Sequence, residues 1–370
     1  MYKREIIDKL RRMRSEDQSY TDGRILSSVS TKPLNVAIKA YEIFSDTNAL
    51  DAHVFRSVER LERDIIEWFG KLLKNRKTAG YITTGGTEAN IVALFVAKKT
   101  YPKKREILVP ESAHYSIQRA ADLLGLRIKY VPLDRDFRVD VSEIENRINK
   151  DTLAIVATAG TSALGVVDPI EEINELCGNI FFHVDAAFGG FVIPFLDSKL
   201  RIDFSIENMD SITIDPHKMG LAPIPSGAIL FRDKSYLDKL RTSPTYLPSQ
   251  PFTLSGSRSG GAIAATWATI NYLGMDGYRR IVKRCMKNTR FLCRELRKMG
   301  VNILVEPELN VVGIRPKNLE RVWTLLRGRG WNILMDTHSK SLRVVVMPHV
   351  TEKVIGEFVR DLRQIIQLCL

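Results

Sequence analysis

Between residues 79 and 231, short apolar runs rich in β-branched residues alternate with amphipathic stretches of helical length, and this alternation narrows the available folds more than any other feature. "AGYITTGG" leads into "TEANIVALFVAKKT", "EILVP" into "HYSIQRAADLLG", and "RIKYVPL" into "VSEIENRIN". The pattern continues through "TLAIVATAG", "PIEEINELCG", "IFFHVDAA", "SITIDPHK" and "GAILFRD". Apolar strands separated by helices of about 10 to 15 residues form βαβ units around a largely parallel sheet, which gives an α/β class. Beyond "GSRSGGAIAATWATINYLG" comes a long amphipathic stretch, "GYRRIVKRCMKNTRFLCRELRKMG". "VNILVEP", "NVVGIRP", "LRVVVMP" and the helical "TEKVIGEFVRDLRQIIQLCL" then read as a smaller α+β domain. The expected divisions are an N-terminal segment 1–44, a large domain 45–270 and a small domain 271–370.

Composition removes several alternatives. No window approaches the roughly 18 apolar residues of a membrane span. The opening "MYKREIIDKLRRMRSED" is too charged for a secretory signal, so a cytoplasmic location is expected. Cys177, Cys285, Cys293 and Cys369 are scattered without a CxxC pair, which suggests neither a metal site nor a disulfide framework. The net charge of +12, from 55 basic and 43 acidic residues, admits a nucleic acid or an acidic substrate. The basic residues are interspersed with Glu and Asp, and no RNA-binding motif is visible, so nucleic acid is not the expected partner.

In open α/β sheets ligands bind beyond the carboxyl ends of the strands, where this chain repeatedly carries glycine and charge. "TTGGTEAN" sets Gly85, Gly86 and Thr87 at a helix start, so unpaired N–H groups, a hydroxyl and the positive helix end could face a phosphate. A tight turn with a threonine cap is the plain alternative, and neither a Walker A nor a GxGxxG spacing is present. "FFHVDAAFGG" ends an apolar strand on Asp185. A carboxylate there needs a partner, either a salt bridge or cap, or the ring nitrogen of a cofactor that it would keep protonated as an electron sink. His114 in "PESAHYS" opens a helix after a strand and reads as a cap or as a ring that stacks on a cofactor. "SITIDPHKMG" runs from a strand straight into Lys218. Most lysines beside Gly and Pro are solvated loop residues, whereas a desolvated one is an amine poised to form a Schiff base with a carbonyl cofactor. Phosphate cradle, stacking His, ring-nitrogen Asp and Schiff-base Lys, in that chain order, are more specific together than singly.

"TTGGTEAN", "ESAHYS", "HVDAAFGG" and "DPHKMGLAPIPSGAILFRD", with "DGRILSSVST", "GSRSG" and "LRVVVMPHVT", resemble the group II pyridoxal 5'-phosphate (PLP) decarboxylases, and among them the archaeal L-tyrosine/L-aspartate decarboxylases. The resemblance covers nearly the whole chain. It implies the fold type I PLP-dependent transferase-like architecture: a mostly parallel seven-stranded sheet with a smaller C-terminal α+β domain. It also implies a homodimer with active sites at the subunit interface, and α-decarboxylation of an L-amino acid. Carried over by motif, Lys218 is the Schiff-base lysine, His217 a phosphate contact, Asp185 the partner of the pyridine nitrogen and His114 the stacking ring. Gly86 and Thr87 hold the phosphate, Ser257 of "SGSRSG" reaches it from the other subunit, and Thr161 of "ATAGTS" lies near the cofactor hydroxyl. Arg343 of "LRVVVMP" grips the substrate carboxylate. Tyr246 in "RTSPTYLPSQPF" is the implied loop tyrosine that returns a proton to the substrate. This chain reads "DTNALDAHVF" where that branch reads "ETNLGDPGLF", so the substrate pocket around Asn48 and His53 departs from the pattern. A fold type I aminotransferase or another lyase would share Lys218 and Asp185, and the charge allows a tRNA-associated PLP enzyme. L-Aspartate, giving β-alanine for coenzyme A, is the preferred substrate, with L-tyrosine, giving tyramine for methanofuran, as the alternative.

Overall fold

A computed structural model describes residues 3–245 and 250–369. In chain order the strands are β1 (Ala79–Thr83), β2 (Glu106–Pro110), β3 (Arg127–Val131), β4 (Thr152–Thr158), β5 (Phe181–Asp185), β6 (Met209–Ile214), β7 (Gly227–Phe231), β8 (Asn302–Ile303), β9 (Val311–Arg315), β10 (Leu334–Asp336) and β11 (Ser341–Val345). The helices are α1 (Lys3–Ser15), α2 (Asn35–Ile43), α3 (Arg56–Leu72), α4 (Gly86–Thr100), α5 (Tyr115–Leu124), α6 (Val141–Arg147), α7 (Ile170–Cys177), α8 (Ser235–Asp238), α9 (Gly260–Lys298), α10 (Leu319–Gly328) and α11 (Glu352–Leu368). The chain divides into two compact units, residues 33–284 with 307–309, and residues 1–32 with 285–306 and 310–370.

The larger unit is built on a seven-stranded sheet of order β1-β7-β6-β5-β4-β2-β3. Neighbours are parallel throughout β3-β2-β4-β5-β6, and β7 runs against both β6 and β1. This is the mostly parallel sheet that the sequence implies. Every residue of β2, β4, β5 and β7 is buried, as expected where both faces are covered, while the edge strand β3 is partly exposed and carries Arg127 and Lys129. Helices α4 and α5 pack over the sheet through Ala89, Val92, Val96, Ile117 and Ala121 against Val109, Val156 and Ile229.

Because only β7 is reversed, the carboxyl ends of β1, β2, β4, β5 and β6 emerge on one edge of the sheet, and β7 begins there. Register confirms the alignment: Thr83 lies opposite Gly227, Thr158 opposite Asp185, and Asp185 opposite Thr213.

The smaller unit carries an antiparallel sheet of order β10-β11-β9-β8. Trp331, Phe358, Leu362, Leu296 and Val344 fill its core together with Leu26 from the N-terminal stretch. Leu26 is fixed there by its backbone N–H on the Asn332 carbonyl and by a parallel bridge from Ile25 to Asn332. Helix α9 is broken at Gly274, whose φ of 56° is left-handed, between the two stretches distinguished in the sequence. No helix among the described residues is long and apolar enough to cross a membrane.

Phe231 closes β7 against Tyr236, with ring centroids 5.6 Å apart. Truncation of this fully buried ring by Phe231→Ala is expected to cost about 3 to 5 kcal/mol. Urea unfolding would report this as a lower midpoint, and a midpoint at the wild-type value would contradict the packing.

Candidate active site

The loops leaving this one edge hold a group of titratable side chains. Lys218 follows β6 by one turn, and its Nζ lies 3.0 Å from Asp215 Oδ2, with the two side chains 19% and 2% exposed. It is not a solvated surface lysine. A buried carboxylate answered by a single lysine makes that lysine hard to remove, since the charge left behind has no water to screen it. His217 stands on the other side of Asp215, its Nε2 3.5 Å from the same Oδ2, while its Nδ1 accepts the Ser226 N–H. Burial lowers the His217 pKa, with Asp215 opposing it and the Lys218 charge acting in the same direction as burial, so the ring is mostly neutral at pH 7 and its contact with Asp215 is mostly not an ion pair. Asp215 Oδ1 is buried without a hydrogen-bond partner among the described residues.

Gly85 and Gly86 bring the start of α4 into this group. A Cβ on Gly85 would lie 3.0 Å from His217 Cε1, and one on Gly86 would lie 3.0 Å from Asp215 Oδ2. Glycine is thus required for approach as well as for the turn. No side chain caps this helix, so its first N–H groups remain available beside half-buried Thr87. Glu88 ties down the preceding residue instead, accepting from the N–H and hydroxyl of Thr84 at 2.8 Å each.

Asp185 ends β5 with both oxygens engaged. Oδ1 accepts the Ala187 N–H at 3.0 Å and Oδ2 accepts from Asn90 Nδ2 at 2.8 Å. His114 caps α5, its Nδ1 accepting from the Ser116 N–H and lying 2.9 Å from the Ser116 hydroxyl. Burial lowers the His114 pKa, with the Lys218 charge acting in the same direction and Asp185 and Asp215 opposing it. The four residues His114, Asp185, Asp215 and Lys218 therefore share one electrostatic neighbourhood.

The remaining sequence candidates are placed as follows. Thr161 is buried after β4, its hydroxyl accepting the Val166 N–H at 3.1 Å. Asn48 and Ser257 meet each other, Nδ2 to Oγ 3.3 Å, and Asn48 Oδ1 also accepts the Arg258 and Leu50 N–H groups. That loop is anchored by Arg258, which is paired with both oxygens of Glu62 and lies over the Tyr81 ring, and by Ser255 on Glu88. Arg343 belongs to the smaller unit, on β11, where its Nη2 donates to the Ser27 carbonyl at 2.6 Å. Tyr246 lies outside the described residues. Among the described residues no group of three or more His, Cys, Asp or Glu is placed to hold a metal ion.

Sequence reasoning passed over Asp215, Asn90 and His183. The signal for two of them was available: Asp215 is a carboxylate at a strand end like Asp185, and His183 precedes Asp185 by two residues and so shares its face of β5. Asn90 lies one turn beyond Gly86, a polar residue among the alanines and valines of a buried helix face.

Comparison with known proteins adds independent findings. The family model described as the pyridoxal-dependent decarboxylase conserved domain matches residues 46–317. A protein of Archaeoglobus fulgidus named "Probable L-aspartate decarboxylase" is 42% identical, the alignment covering 98% of this chain and 100% of that protein. A "Probable L-tyrosine/L-aspartate decarboxylase" of Methanocella arvoryzae is 46% identical, covering 98% of each. Among solved structures, sphingosine-1-phosphate lyase of Burkholderia pseudomallei superposes with a TM-score of 0.93 at 25% identity, covering 99% of this chain and 91% of that one. Glutamate decarboxylase of Lactobacillus brevis gives 0.89 at 21% identity, covering 99% and 93%, and shares the fold.

His183 carries a consequence for stability. Complete burial lowers its pKa from 6.5 to about 4, so the folded protein holds it neutral. Its contribution is full above the unfolded-state pKa and is lost as the pH falls from there towards the folded value. Between about pH 7 and about pH 5 this residue is expected to remove about 2 kcal/mol of stability. Urea titrations of the protein and of His183→Gln at both pH values test it, the wild type showing the steeper loss; equal slopes would contradict a buried neutral imidazole.

Proposed function

We propose that this chain, which belongs to the pyridoxal-dependent decarboxylase family and is a PLP-dependent amino-acid decarboxylase, acts on L-aspartate and releases β-alanine. The observation carrying the choice of substrate is the full-length match to a protein named for L-aspartate alone. Other full-length relatives are named for tyrosine and aspartate together, which keeps L-tyrosine, giving tyramine, as the second reading. β-Alanine would serve as a coenzyme A precursor, and tyramine would serve methanofuran synthesis.

The residues present fit the cofactor. The uncapped start of α4, approached closely through Gly85 and Gly86, suits a phosphate, with Thr87 and His217 beside it. Asp185, held with both oxygens as acceptors, would face the ring nitrogen, and His114 would lie against the ring. The Oδ1 of Asp215 marks a buried polar position in the same group that the described residues leave without a hydrogen-bond partner. Bound PLP supplies a conjugated, electron-withdrawing ring that accepts the electron pair left when the carboxylate departs as CO2.

The chain's own groups would do the rest. Lys218 offers its amine as the covalent anchor, and Asp215 at 3.0 Å would hold it in place. His114 and His217, both neutral, add no positive charge against that amine. Arg343 would hold the substrate carboxylate, and Tyr246 would return a proton to the α-carbon. Thr161 would contact the cofactor hydroxyl, and Ser257 would reach the phosphate of a second subunit in a homodimer, in the cytoplasm. Asn48 would contribute to the substrate pocket through the loop that it braces at Arg258.

Product analysis of PLP-loaded protein given L-aspartate, L-tyrosine or L-glutamate separately tests the substrate. β-Alanine with matching CO2 is expected to dominate; predominant tyramine would replace aspartate with tyrosine, and keto acid without amine would overturn decarboxylation. Lys218→Ala is expected to lose the visible absorption of the lysine-bound cofactor and all amine formation above background. Retention of that band would remove Lys218 from its role.

A further inference from the structure

The hydrogen bonds around Asp185 and His114 pass through one side chain. Asn90 is 1% exposed and has all four of its side-chain hydrogen-bonding positions filled. Its two N–H groups go to Asp185 Oδ2 and Ser116 Oγ, each at 2.8 Å. Its oxygen accepts from Thr213 Oγ1 at 2.7 Å and meets His183 Nε2 at 3.0 Å.

The direction of each bond follows from chemistry. Asp185 Oδ2 is a carboxylate acceptor, so it must face the amide nitrogen of Asn90, and a flipped amide would set two oxygens against each other. The Asn90 oxygen therefore needs a donor from His183, which puts the proton of that ring on Nε2. His183 Nδ1 is left to accept from Ser211 Oγ at 2.9 Å. On the other side Ser116 Oγ already accepts from Asn90, so its own hydrogen goes to His114 Nδ1. The Ser116 backbone N–H points at the same nitrogen. His114 Nδ1 is thus an acceptor twice over, and its ring proton is held on Nε2.

We propose that Asn90 is a positioning residue for the ring-binding pair: it orients Asp185 and, through Ser116, fixes His114 as the Nε2–H tautomer. The proposal rests on the reading of Asp185 and His114 as the residues that contact the cofactor ring. With its four hydrogen-bonding positions taken by protein groups, Asn90 acts through its neighbours. Its effect is that one turn of α4, four residues after the glycine at its start, sets the ring-nitrogen partner and the stacking imidazole together. A sheet face bearing only Thr213, His183 and Asp185 would leave the second oxygen of Asp185 free to turn.

The experiment combines two readouts on wild type and Asn90→Ala. In the apo-protein, nitrogen NMR of labelled histidine is expected to show His114 Nδ1 as an unprotonated, hydrogen-bonded nitrogen in the wild type. In Asn90→Ala the Ser116 hydroxyl is released, the Ser116 backbone N–H alone remains on Nδ1, and the Nδ1 signal is expected to move towards a weaker hydrogen bond. The PLP dissociation constant, measured by equilibrium dialysis, is expected to rise about 10- to 100-fold, the loss of a hydrogen bond to a charged partner. Wild-type histidine shifts and an unchanged dissociation constant in Asn90→Ala would overturn the proposal while leaving the decarboxylase reading intact. Failure of the wild type to form amine would count against the proposed activity and not against the relay, because the apo-protein tautomer is read without turnover. If Asn90→Ala does not fold, Ser116→Ala decides: a weakened hydrogen bond at His114 Nδ1 supports the relay, and an unchanged Nδ1 shift overturns it.

Discussion

A carboxylate buried at the end of an apolar strand has to find its counter-charge or its donors inside the protein, and that requirement organises this molecule twice over. Asp215 finds Lys218 and the edge of a neutral His217. Asp185 finds a backbone N–H and an asparagine. Both lie where parallel strands end, so their partners must come from loops and helix starts on the same edge, which is why helices α4 and α5 bring Gly86, Asn90 and His114 there. The sheet supplies the rigid frame, and the unanswered charge recruits the site around it.

The strand ends were legible because both of their signals are local. A short unbroken apolar run marks the strand, and a Gly, Asp, His or Lys just beyond marks the edge. "HVDAA" and "DPHK" are of this kind, and the structure finds their residues at the ends of β5 and β6. What the sequence concealed was pairing across the chain. Asn90 and His183 are 93 residues apart, and Arg258 and Glu62 are 196 apart, with nothing in either neighbourhood naming the other. A buried asparagine in a helix of alanine and valine carries no period of its own. The docking of Leu26 beside Trp331 is concealed in the same way, since "DGRILSS" has no strand pattern until Asn332 offers it a carbonyl.

The site divides its work between backbone and side chains. The start of α4 offers N–H groups that cannot be mutated away, and glycine at 85 and 86 keeps side chains from filling the approach. The side chains around the lysine have their protonation set by burial: a neutral His114 and a neutral His217 flank it. An imidazolium at either place would stand against the Lys218 ammonium. The shared direction of these two shifts reflects one cause, desolvation, with the lysine charge adding to it.

An apolar core of the same shape can match the stability of a satisfied buried polar network, so stability alone does not account for this arrangement. Leucine at 90 and valine at 183 would satisfy packing on that face of β5 and β6. They would leave Asp185 with a single fixed oxygen and no reason to present the other in one direction. The network from Ser211 through His183 and Asn90 to Asp185 and Ser116 gives each member a single compatible hydrogen placement. Its value is therefore orientational, and it acts on an aspartate 5% exposed at the end of β5.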